Sequence, residues 1–226
     1  MVLWGCSILF KEVLKLKDVN KSYPSSAHEE ILVLNQISLK LSSKGIYLIL
    51  GPHGSGKSTL LRISGFLESP SSGSVAFAGR DLTEPESQER LNLIRNEIGF
   101  VPPYPSLLPY LTILENVMLP MVRKNKFKVL EILKSIGVEN NGSYPRQISV
   151  EEQQRASIAR AMVNDPHILL VDEPTSPLSE TGANEIMHIL RDLKKEYTIM
   201  IFTDDPLLSK YSDTVFKLHH GVLEKI

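Results

Sequence analysis

Cys6 is the only cysteine, so no disulfide can form within the chain. Charge excess is also missing: 25 Lys and Arg stand against 26 Asp and Glu, a net of -1. Without a global positive field the chain has no general means of gripping a nucleic-acid backbone or an acidic membrane, and no nucleic-acid partner is expected. Long hydrophobic runs are absent too. The apolar opening, residues 1–10, is about half the ~20 residues that a membrane span requires. It has neither the basic region before it nor the small-residue cleavage site after it that mark a secretory signal. Residues 1–12 therefore read as an N-terminal appendage, and any role at a membrane would borrow its spans from other subunits. No internal repeat or low-complexity tract is present.

What remains is ordinary globular composition, 42% hydrophobic and 23% charged over 226 residues, enough for one domain with a substantial core. Residues 13–19 alternate apolar and polar as a half-buried strand does, and a second extended pattern covers 31–41 after a turn-rich stretch at 24–27. Together they predict an antiparallel pair. The apolar run 46–50 predicts a buried strand, followed by a glycine-rich loop and a helix over 58–66. A strand at 74–78, an exposed helix over 84–96 and a strand at 98–101 follow, the last stopped by Pro102, Pro103 and Pro105. Helical spacing covers parts of 112–137 and then 151–164, which Asp165-Pro166 breaks. Residues 168–171 read as a strand, 181–195 as a helix, 198–202 as a buried strand and 214–226 as a terminal hairpin around His220-Gly221. Strands and helices alternating in this way predict an α/β fold with a largely parallel central sheet.

The chemistry begins at Gly51-Pro52-His53-Gly54-Ser55-Gly56-Lys57-Ser58-Thr59. This fits the phosphate-binding P-loop pattern, with a predicted strand before it and a predicted helix after it. Glycines let successive N–H groups turn inward around phosphate oxygens, and the helix N-terminus adds its positive dipole end. Lys57 reaches the β- and γ-phosphates of a bound ATP in this arrangement, and the Ser58 hydroxyl ligates Mg²⁺. The strand at 168–171 ends in Asp172-Glu173, at the sheet edge where ligands of such folds bind. Asp172 is placed to hold Mg²⁺ and Glu173 to polarise the attacking water as general base.

With these elements the chain, from Val13 onward, resembles the ABC ATPase family. Ala78-Gly79-Arg80-Asp81-Leu82, IGFV at 98–101 and LLPYLTILENVMLP at 107–120 make it most similar to the branch of lipoprotein-releasing and macrolide-exporting ATPases. The resemblance implies a RecA-like P-loop core, an N-terminal antiparallel β subdomain and a reduced helical subdomain at about 104–164, all within a cassette spanning 13–226. It implies ATP and Mg²⁺ as ligands, Tyr23 as a platform stacking on adenine, and a partner permease that supplies the membrane spans. The location it implies is cytoplasmic, peripheral at the inner face of the membrane.

Several family positions are substituted. The signature LSGGQ appears as Ile148-Ser149-Val150-Glu151-Glu152, so Ser149 alone survives among its polar contacts to nucleotide on the opposite subunit. The switch histidine is Asp204, a carboxylate that accepts hydrogen bonds and cannot donate one at neutral pH. The glutamine expected after β-strand IGFV falls at Pro103, and the loop expected to read SALD reads Ser176-Pro177-Leu178-Ser179. The segment between Pro120 and Tyr144 is short for the branch. These departures point to slow hydrolysis and to pairing with a second, better-preserved cassette, a heterodimer favoured over a homodimer. The alternatives are an ATP-gated regulatory or assembly subunit with little hydrolysis, and a soluble P-loop kinase, for which no acceptor pocket or lid motif is present. His219-His220 sits where the family often has a polar turn before the terminal strand; adjacent histidines on a strand face opposite ways, and a shared metal is not expected.

Overall fold

In the computed structural model, residues 12–24 and 29–226 are described. The expected appendage thus lies, apart from Glu12, outside the described residues, as does most of the expected turn at 24–27. Two sheets organise the rest. β1 (Leu14–Pro24), β2 (Glu30–Leu41), β4 (Ser72–Phe77) and β5 (Arg80–Asp81) form an antiparallel sheet in the order β2-β1-β4-β5. β3 (Gly45–Leu50), β6 (Ile98–Val101), β7 (Ile168–Asp172), β8 (Thr198–Thr203), β9 (Thr214–His219) and β10 (Val222–Lys225) form the second, in the order β10-β9-β3-β8-β7-β6. All its pairings are parallel except the terminal hairpin of β9 and β10.

The central strands read as unbroken apolar runs because both of their faces are covered. Ile199 and Ile201 enter one core while Met200 and Phe202 enter the other; Leu169 and Val171 oppose Ile168 and Leu170 in the same way. One core is shared with the antiparallel sheet, α1 (Lys57–Ser64) and Leu93 of α2 (Ser87–Asn96). The other packs α3 (Ile113–Met118), α4 (Lys126–Ser135), α5 (Val150–Met162) and α6 (Glu180–Leu193) on the opposite face. Side chains of this kind contribute about 1.5–3 kcal/mol each on full burial, which ties the helices of 104–164 to the sheet through one continuous core.

Two local expectations are corrected. The helix expected over 84–96 begins only at Ser87, because Pro85 holds its predecessor extended and Glu86 occupies the N-cap. His220 lies, as expected, in the hairpin turn between β9 and β10, but with φ +47° it is off the strand, so the alternation argument for the two histidines does not apply. The His219 and His220 rings meet edge-to-face with centroids 4.1 Å apart, and no group of three or more metal-ligating side chains is found among the described residues.

The proline-rich segment after β6 is pinned from two helices. Asn116 of α3 is fully buried; its Oδ1 accepts from Leu108 N at 2.7 Å, and its Nδ2 donates to the carbonyls of Leu108, Leu111 and Thr112. Arg160 of α5 donates to the carbonyls of Pro105 and Ser106, both at 2.9 Å. Asn116→Ala strands half-buried backbone groups, each of which costs about 1–3 kcal/mol when left without a partner away from water. An expected loss of about 2–3 kcal/mol in urea unfolding, with unchanged slope, checks the assignment.

Candidate functional site

The parallel register decides where the site lies. Leu50 pairs with Thr203, and the Gly51 N–H donates to the Thr203 carbonyl at 3.0 Å. The loop after β3 and the residue after β8 are therefore neighbours at the carboxyl edge of the sheet, one strand from the end of β7. An open cavity of about 360 Å³ at this edge is lined by Val33, Pro52, His53, Gly54, Gly56, Lys57, Ser58, Thr59, Asp172 and Glu173. A larger depression, about 810 Å³, lies over the α3–α4 connection and holds none of the motif residues. The motif residues gather at the smaller one.

Gly56 caps α1 with φ +104°, a conformation that disfavours any side chain, and no side chain caps the helix. No acidic residue stands in its first turn, so the positive end of the helix faces the cavity without a protein anion against it. Lys57 is buried. Its Nζ donates to the carbonyls of Gly51 at 2.7 Å and Pro52 at 3.3 Å, and lies 3.4 Å from Glu173 Oε1. The ammonium is thus held at the loop's own rim, within reach of the two carboxylates.

Glu173 leaves β7 with φ +41° while its N–H donates to the Phe202 carbonyl at 2.9 Å. Such a backbone costs of order 1–3 kcal/mol for a residue with a side chain, and it turns the carboxylate off the strand toward Lys57. Burial, and then the adjacent Glu173 charge, pushes Asp172 above the ordinary carboxylate range against the opposing pull of Lys57 and Arg62. A divalent cation would relieve both causes. Asp172, Glu173 and the exposed Ser58 hydroxyl are oxygen donors of the kind Mg²⁺ takes, so the set fits that ion.

Val33, on β2, lines the cavity and was not among the expected residues; no motif marks it. Tyr23 is not in the lining. Its hydroxyl donates to Glu68 at 2.9 Å and lies 3.4 Å from Thr59 Oγ1, while Lys21 Nζ sits 5.1 Å from its ring centroid. Burial alone would raise the Glu68 carboxyl, but hydrogen bonds from Lys21 and Tyr23 and the charges of Lys21 and Arg62 bring it below its ordinary value.

The segment expected to meet nucleotide on an opposite subunit is occupied by its own chain. Ser149 caps α5, accepting from Glu152 N at 3.1 Å, and the Glu152 carboxylate accepts from Ser149 N at 3.3 Å and from Asn140 Nδ2 at 3.2 Å. Glu151 lies 3.4 Å from Ser179 Oγ and packs on Gly182 so closely that a Cβ there would sit 2.6 Å from Glu151 Cγ. Ser149 is not in the cavity's lining and is committed to the helix cap.

At the switch position the picture differs from the expected plain loss of a histidine. Asp204 Oδ2 stands 3.2 Å from His53 Nε2, so an imidazole is present after all, contributed by the P-loop.

A family model described as ABC transporter matches residues 34–176, more than half of the chain. The chain belongs to the ABC transporter family. It is 37% identical over 217 residues to the macrolide export ATP-binding/permease protein MacB of Salmonella choleraesuis, covering 92% of this chain and 33% of that protein. The corresponding protein of Escherichia coli K12 is 36% identical over the same length. The chain therefore spans about a third of the length of these curated relatives. Among solved structures, the ATP-binding cassette MJ0796, seen as a dimer bound to ADP and Pi, superposes with a TM-score of 0.84 at 34% identity, covering 94% of this chain and 98% of that one. The cassette cbiO1 of Clostridium perfringens, part of the complex cbiONQ, gives a TM-score of 0.85 at 28% identity, covering 95% and 87%. These likenesses establish an ABC ATPase cassette, an ATP-binding and ATP-hydrolysing class of domain, and decide against the kinase alternative. No described helix is long and apolar enough to cross a membrane.

Proposed function

We propose that this cassette is the ATP-binding subunit of a transporter, coupling ATP binding and slow hydrolysis to a partner permease at the cytoplasmic face of the membrane. The observation that carries this is an asymmetry within one chain. The phosphate side is complete, with Lys57, Ser58, Asp172 and Glu173 converging on one cavity. The signature side, Ser149 to Glu152, is closed by its own carboxylates.

In this reading Gly51, Gly54 and Gly56 with Lys57 and Thr59 wrap the phosphates, Ser58 and Asp172 hold Mg²⁺, and Glu173 takes a proton from water. Bound Mg²⁺ supplies charge neutralisation of the phosphate oxygens. Tyr23, anchored by Glu68, offers its ring to adenine from beside the cavity. Pro103 has neither a side-chain amide nor an N–H with which to orient Mg²⁺ or water. Losing one such orienting group costs about 100-fold or more in rate, so phosphate release by the purified chain is expected to be slow. Brisk turnover by the chain alone would overturn the assignment of slow hydrolysis. The second reading, an ATP-gated regulatory subunit with little hydrolysis, draws on the same self-capped signature. It is distinguished by phosphate release that stays at background even with a partner cassette present.

A further inference from the structure

His53 and Asp204 form a pair that the cassette's known chemistry does not use. The first stands in the loop after β3 and the second directly after β8, and the parallel register of those strands makes them neighbours. Of the two adjacent aspartates, Asp205 is committed elsewhere: its Oδ1 accepts from Leu207 N at 2.8 Å and caps the 3-10 turn Pro206–Tyr211. Asp204 is left for the imidazole. The His53 side chain is 92% exposed and that of Asp204 42%, and an ion pair so open to water adds almost nothing to folding. Its placement is more specific than its energy. His53 lines the cavity, and among the described residues it and Lys57 are the basic residues that do so. Lys57 is already engaged by two carbonyls and Glu173.

We propose that His53 donates to the terminal phosphate of bound ATP, and that Asp204 is the positioning residue that aims it. Resting on the ATP-binding reading of the same cavity, this assigns the residue that tells ATP from ADP. A carboxylate only accepts, so the ring nitrogen facing it, Nε2, carries a proton. In the neutral ring Nδ1 is then an acceptor, which an anionic phosphate oxygen cannot use; the form that serves both partners is the imidazolium, donating from one nitrogen to Asp204 and from the other to a phosphate oxygen. The imidazole and its partner position have in effect changed strands, so the aspartate after β8 orients a phosphate donor in place of being one.

The test is calorimetric titration of the full chain with Mg²⁺ and either ADP or a non-hydrolysable ATP analogue. His53→Ala is expected to weaken the ATP analogue about tenfold, the size of one charge-assisted hydrogen bond at a wet site, and to change ADP by less than about twofold. Asp204→Ala should show most of the same selective loss, Asp204→Asn should retain part of the wild-type preference because its amide oxygen still accepts, and the double variant should be no weaker than His53→Ala alone. Equal weakening of both nucleotides, no weakening of either, or additive losses in the double variant would overturn this proposal while leaving nucleotide binding intact. Failure of the unmodified chain to bind either nucleotide would overturn the ATP reading and this proposal with it.

Discussion

Lys57→Ala is expected to lower affinity for Mg-ATP by at least about 100-fold, from the micromolar range toward the millimolar. Among the described residues the lysine is the one permanently charged donor lining the cavity, and its Nζ is held 2.7 Å from the Gly51 carbonyl and 3.4 Å from Glu173. Hydrogen bonds to charged groups contribute about 1.5–3 kcal/mol each, and the ammonium reaches two phosphates when it turns from the loop carbonyls to the ligand. Removing it also takes away the cation that pairs with Glu173 and counters the raised Asp172, so the two carboxylates oppose a triphosphate more strongly. Both effects weaken ADP as well as ATP, which separates this variant from His53→Ala. Calorimetry showing unchanged affinity would remove the basis of the nucleotide assignment.

The second large effect concerns pairing. A Glu173→Gln variant of this chain, slowed in hydrolysis, is expected to stay monomeric with Mg-ATP at low micromolar protein. Adding Val150→Gly, Glu151→Gly and Glu152→Gln is expected to convert it to an ATP-dependent dimer. In an ATP-sandwiched self-pair each signature would face the other subunit's γ-phosphate. Here it presents two carboxylates, and one like-charge contact at about 5 Å costs roughly 3 kcal/mol at an effective dielectric near 20. Attraction from the α5 dipole is worth only about 0.3–2 kcal/mol, and Glu152 already occupies that helix end through its mutual cap with Ser149. Glu151 is held toward Ser179 and Gly182, so closing on a phosphate would also require breaking that contact. Light scattering decides between outcomes: a tight homodimer of the Glu173→Gln chain with its own signature would sink the heterodimer preference.

Much of this molecule is legible from residue order. The two-faced burial of β3, β7 and β8 appears in the sequence as short continuous apolar runs, because a strand covered on both sides has no polar face to display. The P-loop is legible since phosphate wrapping demands glycine at fixed spacing and a helix directly behind it. That Asp172 and Glu173 would stand at the sheet edge was legible because the apolar run before them ends there. Helix boundaries were less legible: α2 starts late through Pro85, and α3 stops at Met118 just before Pro120.

The sequence by itself determined the order of strands and helices, the phosphate loop and its carboxylate partners, because each is written in a local run of a few residues with its own steric or hydrogen-bonding demand. Only the tertiary structure decided what those residues do to one another. Val33 entered the cavity through the packing of β2 against the P-loop, Asn116 tied down the segment behind Pro103, and Glu151 and Glu152 were turned inward onto their own chain. Asp204, which as a letter is simply a missing histidine, met His53 from a distant part of the chain because parallel strand pairing fixes which loops share a sheet edge, and pairing between strands far apart in sequence leaves no local mark.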